Sequence, residues 1–138
     1  MAEGEKALPT ITQDNEEFWK GCKRHELLIQ KCQDCRRYRM YPQPMCPECG
    51  SMKAKWKKVT GRGKIYSFVI IRYSAHPLFK DKVPYAVVLV ELDDAQGIRI
   101  FSNIIGCEPE KIKIGMPVEV VFEDITGEIT IPKFKPIS

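Results

Sequence analysis

The sequence predicts a mainly β protein: an N-terminal helix, a rubredoxin-like zinc ribbon and a C-terminal five-stranded OB-type barrel. Two observations carry this expectation. Cys32, Cys35, Cys46 and Cys49 form two Cys-x-x-Cys pairs across a short spacer, which is the ligand spacing of a tetrahedral four-thiolate metal site. Beyond Gly61 the chain reads as a series of strand-like apolar runs separated by turn signals. The 138 residues suit one domain, or very small units sharing a core, with boundaries expected at 1–26 (helical segment), 27–60 (ribbon) and 61–138 (barrel).

The first ten residues are polar and lack periodicity. A helix follows, with Thr12 or Asp14 as its cap, Glu16 and Glu17 at its positive end, and Phe18, Trp19 and Cys22 on one face. Gly21 keeps it short. Leu27, Leu28 and Ile29 lead as a strand into the first knuckle, and Tyr38, Met40 and Tyr41 leave it towards Pro42 and Pro44. Lys53, Lys55, Lys57 and Lys58 then surround Trp56 ahead of a turn at Gly61, Arg62 and Gly63.

Strands are expected over 65–73, 85–92 and 98–105, through Val118, Val120 and Phe122, and over 128–131. Turns fall at Asp93 to Gly97 and at Thr126-Gly127, and a helical turn fits Pro109 to Lys113. Five strands with a brief helix between the third and fourth match an OB barrel; a small open sandwich is the alternative.

Four thiolates fill a tetrahedral coordination sphere, so the metal is expected to be structural rather than catalytic. Two disulfides would use the same cysteines. No signal-peptide pattern precedes them, and paired Cys-x-x-Cys units in a cytoplasmic chain favour metal. Zinc is the expected ion and should supply much of the folding free energy of so small a ribbon, although a rubredoxin-type iron would take the same ligands. Cys22 and Cys107 lie outside this spacing and read as packed thiols. His25 reads as a surface residue after the helix. His76 lies in the loop 74–82, where OB proteins often meet ligands, but no carboxylate or cysteine partner is evident beside it.

No nucleophile elbow, phosphate-cradling glycine loop or dinucleotide fingerprint occurs, which argues against catalysis by this chain alone. The net charge of +4 is weak support for an anionic partner. No apolar run reaches the length of a membrane span, so a soluble cytoplasmic protein without membrane contact is expected.

The helix with Phe18-Trp19, the four-cysteine ribbon, and the segments from Thr60 to Phe68, Pro84 to Leu92 and Ile114 to Phe122 together resemble the zinc-ribbon/OB-fold acyl-CoA-associated proteins over nearly the whole chain. One departure is visible: Cys35 is followed by Arg36-Arg37 where family members often have a glycine. The resemblance implies a small non-catalytic subunit of a thiolase-superfamily complex, similar to the small subunit of benzoylsuccinyl-CoA thiolase. It implies a thiolase-like catalytic partner that owns the nucleophile, and an acyl-CoA thioester bound by the complex.

Coenzyme A presents phosphates and adenine, which Lys57, Lys58 and Arg62 beside Trp56 could hold by charge and stacking. Phe18, Trp19, His76, Leu78 and Phe79 are the candidate partner contacts, being large or polar groups on short or irregular elements. The competing reading is a nucleic-acid-binding ribbon and barrel. It is disfavoured because the middle strands carry Glu91, Asp93 and Asp94 around the single aromatic Phe101, whereas a stacking platform needs several aromatics amid positive charge. A stand-alone iron redox protein is the third reading.

Overall fold

The computed structural model describes residues 10–73 and 84–137. Helix α1 (Glu16–Lys23) opens it. Glu16 and Glu17 in its first turn and Lys20 and Lys23 in its last complement the helix dipole, and Lys20 reaches Glu16 at 3.0 Å. The N-cap is Asn15 rather than Thr12 or Asp14. Its side-chain oxygen accepts the Thr12 amide at 2.6 Å and so leaves the helix amides uncapped. Phe18 and Cys22, one turn apart, are buried. Gly21 does more than limit length: a Cβ there would lie 2.7 Å from Leu28 Cγ, so its bare backbone lets the helix sit on the following strand.

That strand, β1 (Leu27–Cys32), is the centre of a three-stranded antiparallel sheet, with β2 (Tyr38–Arg39) on one side and β3 (Ala54–Val59) on the other. Its side chains are divided. Leu27 and Ile29 enter the core, and Cys32 ends the strand in the first knuckle.

The second sheet holds β4 (Arg62–Ile71), β5 (Tyr85–Leu92), β6 (Arg99–Asn103), β7 (Pro117–Asp124) and β8 (Thr130–Pro136), in the order β6-β5-β4-β7-β8. A 3-10 turn at Pro109–Lys111 separates β6 from β7, as expected. The two edges meet where Ile104 bridges Phe134 in parallel and the Ile105 amide donates to the Phe134 carbonyl at 2.8 Å. This closure replaces the open sandwich with an OB-like barrel. Strand β4 serves two neighbours: Gly63 pairs with both Leu92 and Val118, and a bulge between Ile65 and Ser67 bends the strand away.

Two expectations about strand limits are corrected. Arg62 and Gly63 belong to β4 and not to a turn, because Gly61 alone makes the reversal, at φ +81° with Val120 so close that a Cβ would meet its Cγ1. The last strand runs to Pro136 instead of ending at Ile131. It tolerates Pro132 and Pro136 because β8 is an edge strand with β7 as its regular partner.

Helix, ribbon and barrel share one hydrophobic core. Phe18, Cys22, Leu27, Ile29 and Val59 cluster with Ile65, Val88, Val90, Ile100, Val118 and Phe134. A polar joint backs it up. His25, exposed after the helix as expected, takes a left-handed conformation (φ 62°) that closes the helix, with the Glu26 amide returning to the Gly21 carbonyl at 2.8 Å. Its ring stacks on Phe122 (5.3 Å, 14°), and Nε2 lies 3.1 Å from Asp124 Oδ1.

Phe134 is fully buried at the point of barrel closure. Phe134→Ala is expected to cost about 3–5 kcal/mol, read as a fall in the denaturant midpoint with metal content unchanged. The Asp124 carboxyl is held below its ordinary range, first by the Thr130 hydroxyl at 2.6 Å and then by His25. A lowered folded-state pKa stabilises the fold above the ordinary carboxylate range and loses that contribution as pH falls through the lowered value. Asp124→Asn should therefore lower the unfolding midpoint near neutrality, and the difference from wild type should close in strong acid. A gap persisting undiminished at about pH 2 would refute this.

Candidate metal centre

The four predicted ligands converge. The sulfurs of Cys32, Cys35, Cys46 and Cys49 all lie within 4.8 Å of one another, with Cys32–Cys49 and Cys35–Cys46 each at 3.6 Å. A tetrahedron with metal–sulfur bonds of about 2.3 Å has edges of about 3.8 Å, so the set is the right size for a zinc tetrathiolate. None of the six cysteines is in a disulfide, which removes the two-disulfide alternative.

Backbone hydrogen bonds shape both knuckles. In the first, the Cys32 amide donates to the Arg37 carbonyl and the Gln33 amide to Lys53, both at 2.9 Å. In the second, Cys46 donates to Ser51 at 2.8 Å, Gly50 returns to Cys46 at 2.9 Å, and Gly50 takes a positive φ (76°). Arg36 occupies the left-handed region too, at φ 64°. At the departure noted in the sequence, arginine adopts a conformation that a glycine would take more cheaply.

The amides of Cys35 and then Asp34 point at Cys32 Sγ and hold that thiol down to about 6; Cys46 is lowered by the amides of Cys49 and Glu48. Cys35 and Cys49 also receive amides, from Arg37 and Ser51, but desolvation and the neighbouring sulfurs outweigh these, raising both and taking Cys49 to about 12. One thiol per knuckle is thus predisposed to ionise. A bound cation would be needed to ionise all four, and in return it would crosslink β1 to the two turns. Four sulfurs leave no open position for substrate.

The other singled-out residues do not join this site. Cys22 is fully buried, and desolvation pushes its thiol up to about 12, consistent with a packing role. Cys107 is partly exposed, its thiol facing the Glu108 carbonyl. Phe18, offered as a partner contact, is only 4% exposed and is spent on the chain's own core. Trp19 packs edge-on against it at 5.0 Å and stays half-buried. His76, Leu78 and Phe79 lie outside the described residues. Of the four CoA candidates, Trp56 packs partly on the core and Lys58 pairs with Glu26 at 3.6 Å, whereas Lys57 and Arg62 are exposed.

Two family descriptions match: "ChsH2, rubredoxin-like zinc ribbon domain" over residues 19–52 and "ChsH2, C-terminal OB-fold domain" over 56–123. A DUF35 domain-containing scaffold protein of Methanocaldococcus jannaschii is 34% identical over 128 residues, covering 86% of this chain and 88% of that protein. The chain belongs to the DUF35 family of ChsH2-type zinc-ribbon and OB-fold proteins.

Other members are longer. A probable enoyl-CoA hydratase alpha subunit of Thermomonospora curvata is 38% identical over 93% of this chain, yet the chain spans only 39% of that protein. The 3-oxo-4,17-pregnadiene-20-carboxyl-CoA hydratase alpha subunit of Mycobacterium tuberculosis is 34% identical, with 36% of its length matched. Among solved structures, a chain of an Ltp2-ChsH2(DUF35) aldolase superposes with a TM-score of 0.83 and 38% identity, covering 93% of this chain and 98% of that one. Among the described residues of this DUF35 chain, no helix is long and apolar enough to cross a membrane.

Cys46→Ser removes one of the four ligands, and one of the two whose thiol is held below its ordinary range. Metal content, measured by elemental analysis, is expected to fall from about one equivalent per chain to a small fraction, with partial unfolding or loss of solubility. Full zinc retention in that variant would exclude Cys46 as a ligand.

Proposed function

We propose that this chain is a non-catalytic, zinc-stabilised scaffold subunit of a heteromeric enzyme acting on CoA thioesters, with a thiolase-like catalytic partner. The observation that carries the reading is the near-complete likeness to the ChsH2(DUF35) chain of an aldolase. Two further relatives are named as alpha subunits of CoA-ester hydratases, which supports the substrate class; their own hydratase activity is not carried over, because most of their length is unmatched here. The thiolase-like partner rests on the family resemblance of the sequence.

The barrel surface supports a protein partner. Val69 on β4, Val87 and Leu89 on β5 and Phe101 on β6 are neighbours in register on the outer face, and Val69 and Phe101 are 55% and 61% exposed. Tyr66 extends the patch under the Arg99 guanidinium, 3.9 Å from the ring centroid. Such a surface suits burial against another subunit. Trp19 and the loop residues His76, Leu78 and Phe79 complete the proposed contact. Lys57 and Arg62, with Lys58 and Trp56 alongside, are the proposed CoA-phosphate contacts. The nucleic-acid reading loses support because barrel cations are matched to carboxylates: Lys133 with Glu123 at 2.9 Å, Lys135 with Glu119 at 3.6 Å and Arg99 with Glu91 at 3.2 Å.

The test is co-expression with a thiolase-like protein from the same genome. The isolated chain should turn over no acyl-CoA. Phe101→Ser should leave zinc content and thermal midpoint nearly unchanged yet weaken the complex about thirtyfold, the effect of losing an aromatic anchor worth about 2 kcal/mol. Undiminished affinity and complex activity would remove this face from the interface, and failure of the wild-type pair to associate would overturn the scaffold assignment.

A further inference from the structure

Segment 40–45 carries the chain from β2 to the second knuckle, and among the described residues it makes no backbone-to-backbone hydrogen bond with the ribbon sheet. Two side chains hold it instead. Gln30 on β1 and Arg39 on β2 are cross-strand neighbours, only 8% and 7% exposed. Arg39 Nε donates to Gln30 Oε1 at 2.7 Å, the Gln43 amide donates to the same oxygen at 2.9 Å, and Arg39 Nη2 donates to the Gln43 carbonyl at 3.1 Å. Both backbone groups of Gln43 are thereby engaged, as they would be by a neighbouring strand.

This clamp lies beside the metal ligands along the chain. Gln30 stands two residues before Cys32, and Gln43 three before Cys46. Three residues of chain reach at most about 10 Å, so fixing Gln43 confines the Cys46 sulfur. The exit of the second knuckle is fixed separately, where the Gln33 amide donates to the Lys53 carbonyl at 2.9 Å and Ala54 begins to pair with β1. Bonds inside the knuckle, from Cys46 to Ser51 and from Gly50 to Cys46, set its shape but not its position. A knuckle pinned to β1 at both ends keeps its thiols near Cys32 and Cys35 even while one metal–sulfur bond is open, and a high effective concentration favours rebinding over loss. Fold stability alone is a poor reason to bury the arginine. Taking a guanidinium out of water costs about as much as its hydrogen bonds return, and an apolar pair of similar volume often serves as well.

We propose that Gln30 and Arg39 are positioning residues for the zinc centre: acting through the Gln43 backbone, they hold the knuckle of Cys46 and Cys49 against that of Cys32 and Cys35 and so slow the loss of bound zinc. Among the described residues neither side chain donates to a sulfur, so the two set where the thiols sit and leave the donors to the thiols unchanged. The proposal rests on the four-cysteine metal centre and is independent of the scaffold reading.

The zinc-loaded full chain is mixed with excess chelator, and zinc release is timed by the colour change of the chelator. Groups that orient metal ligands are commonly worth ten- to a hundredfold in metal affinity, so Arg39→Met, which removes both side-chain donors and leaves no buried charge, should speed release about tenfold. Gln30→Glu keeps the shared acceptor and should release zinc at nearly the wild-type rate. Val88→Ala truncates a fully buried residue of the barrel core and should lower the thermal midpoint without speeding release. The Gln43 amide should lose protection from hydrogen exchange in Arg39→Met and keep it in Val88→Ala. Arg39→Lys retains the charge and the stem, but one ammonium cannot span the two acceptors that the fork reaches, so it too should release zinc faster; it decides the matter if Arg39→Met fails to fold. Wild-type release in Arg39→Met or Arg39→Lys, or equal acceleration in Val88→Ala, would overturn the proposal. A wild-type chain that retains no zinc would remove the metal centre itself, and the proposal with it.

Discussion

Strand β1 works under two obligations, and most of the architecture follows from meeting both at once. Leu27 and Ile29 must enter a core that also holds barrel residues, while Cys32 at the end of the same strand must present its sulfur to three others. A six-residue strand has little freedom to adjust. Its hydrogen bonds to β2 and β3 hold the register, the bare backbone at Gly21 brings the helix down onto Leu28, and the two knuckles pin its far end. Neither the ribbon nor the helix has enough apolar surface for a core of its own, so both borrow from the barrel, and the metal site takes the place of the contacts the ribbon lacks.

Sharing a core this way leaves the ribbon's remaining polar groups in unusual surroundings. Gln30, next to the core residue Ile29 on β1, points the other way and is nonetheless buried, and it survives there by accepting from both the Arg39 side chain and the Gln43 backbone. A short network of this kind fixes geometry more than it stabilises, since each buried partner must first give up its water.

The barrel is correspondingly asymmetric. Closure between β6 and β8 turns Phe134 inward and seals the core, and alternate residues of β5 are fully buried. The opposite face of β4, β5 and β6 keeps apolar side chains in contact with solvent, an arrangement that costs solubility unless another surface covers it. Burial of that face against another subunit is the physical basis of the scaffold role proposed above.

Local signals made much of this legible in the sequence. Cysteine spacing identified the ligands because a knuckle is a four-residue object, and continuous apolar runs marked β4 and β5 while a period-two alternation marked β7, each signal lying within the strand's own residues. Boundaries were less legible where a neighbour decided them: Gly61 makes the reversal because Val120 crowds it, and β8 continues through two prolines because it lies at an edge. Long-range juxtaposition was not legible at all. Nothing local to His25 anticipates Phe122 and Asp124, and nothing local to Phe18 says that the core rather than a partner takes its ring. The sequence by itself therefore determined the metal ligands, the strand content and the order of the parts, each a matter of residues within a few positions of one another. Only the tertiary structure decided which side chains the shared core consumes, which polar groups are buried beside it, and which apolar face remains open, because those outcomes depend on distant segments competing for the same buried space.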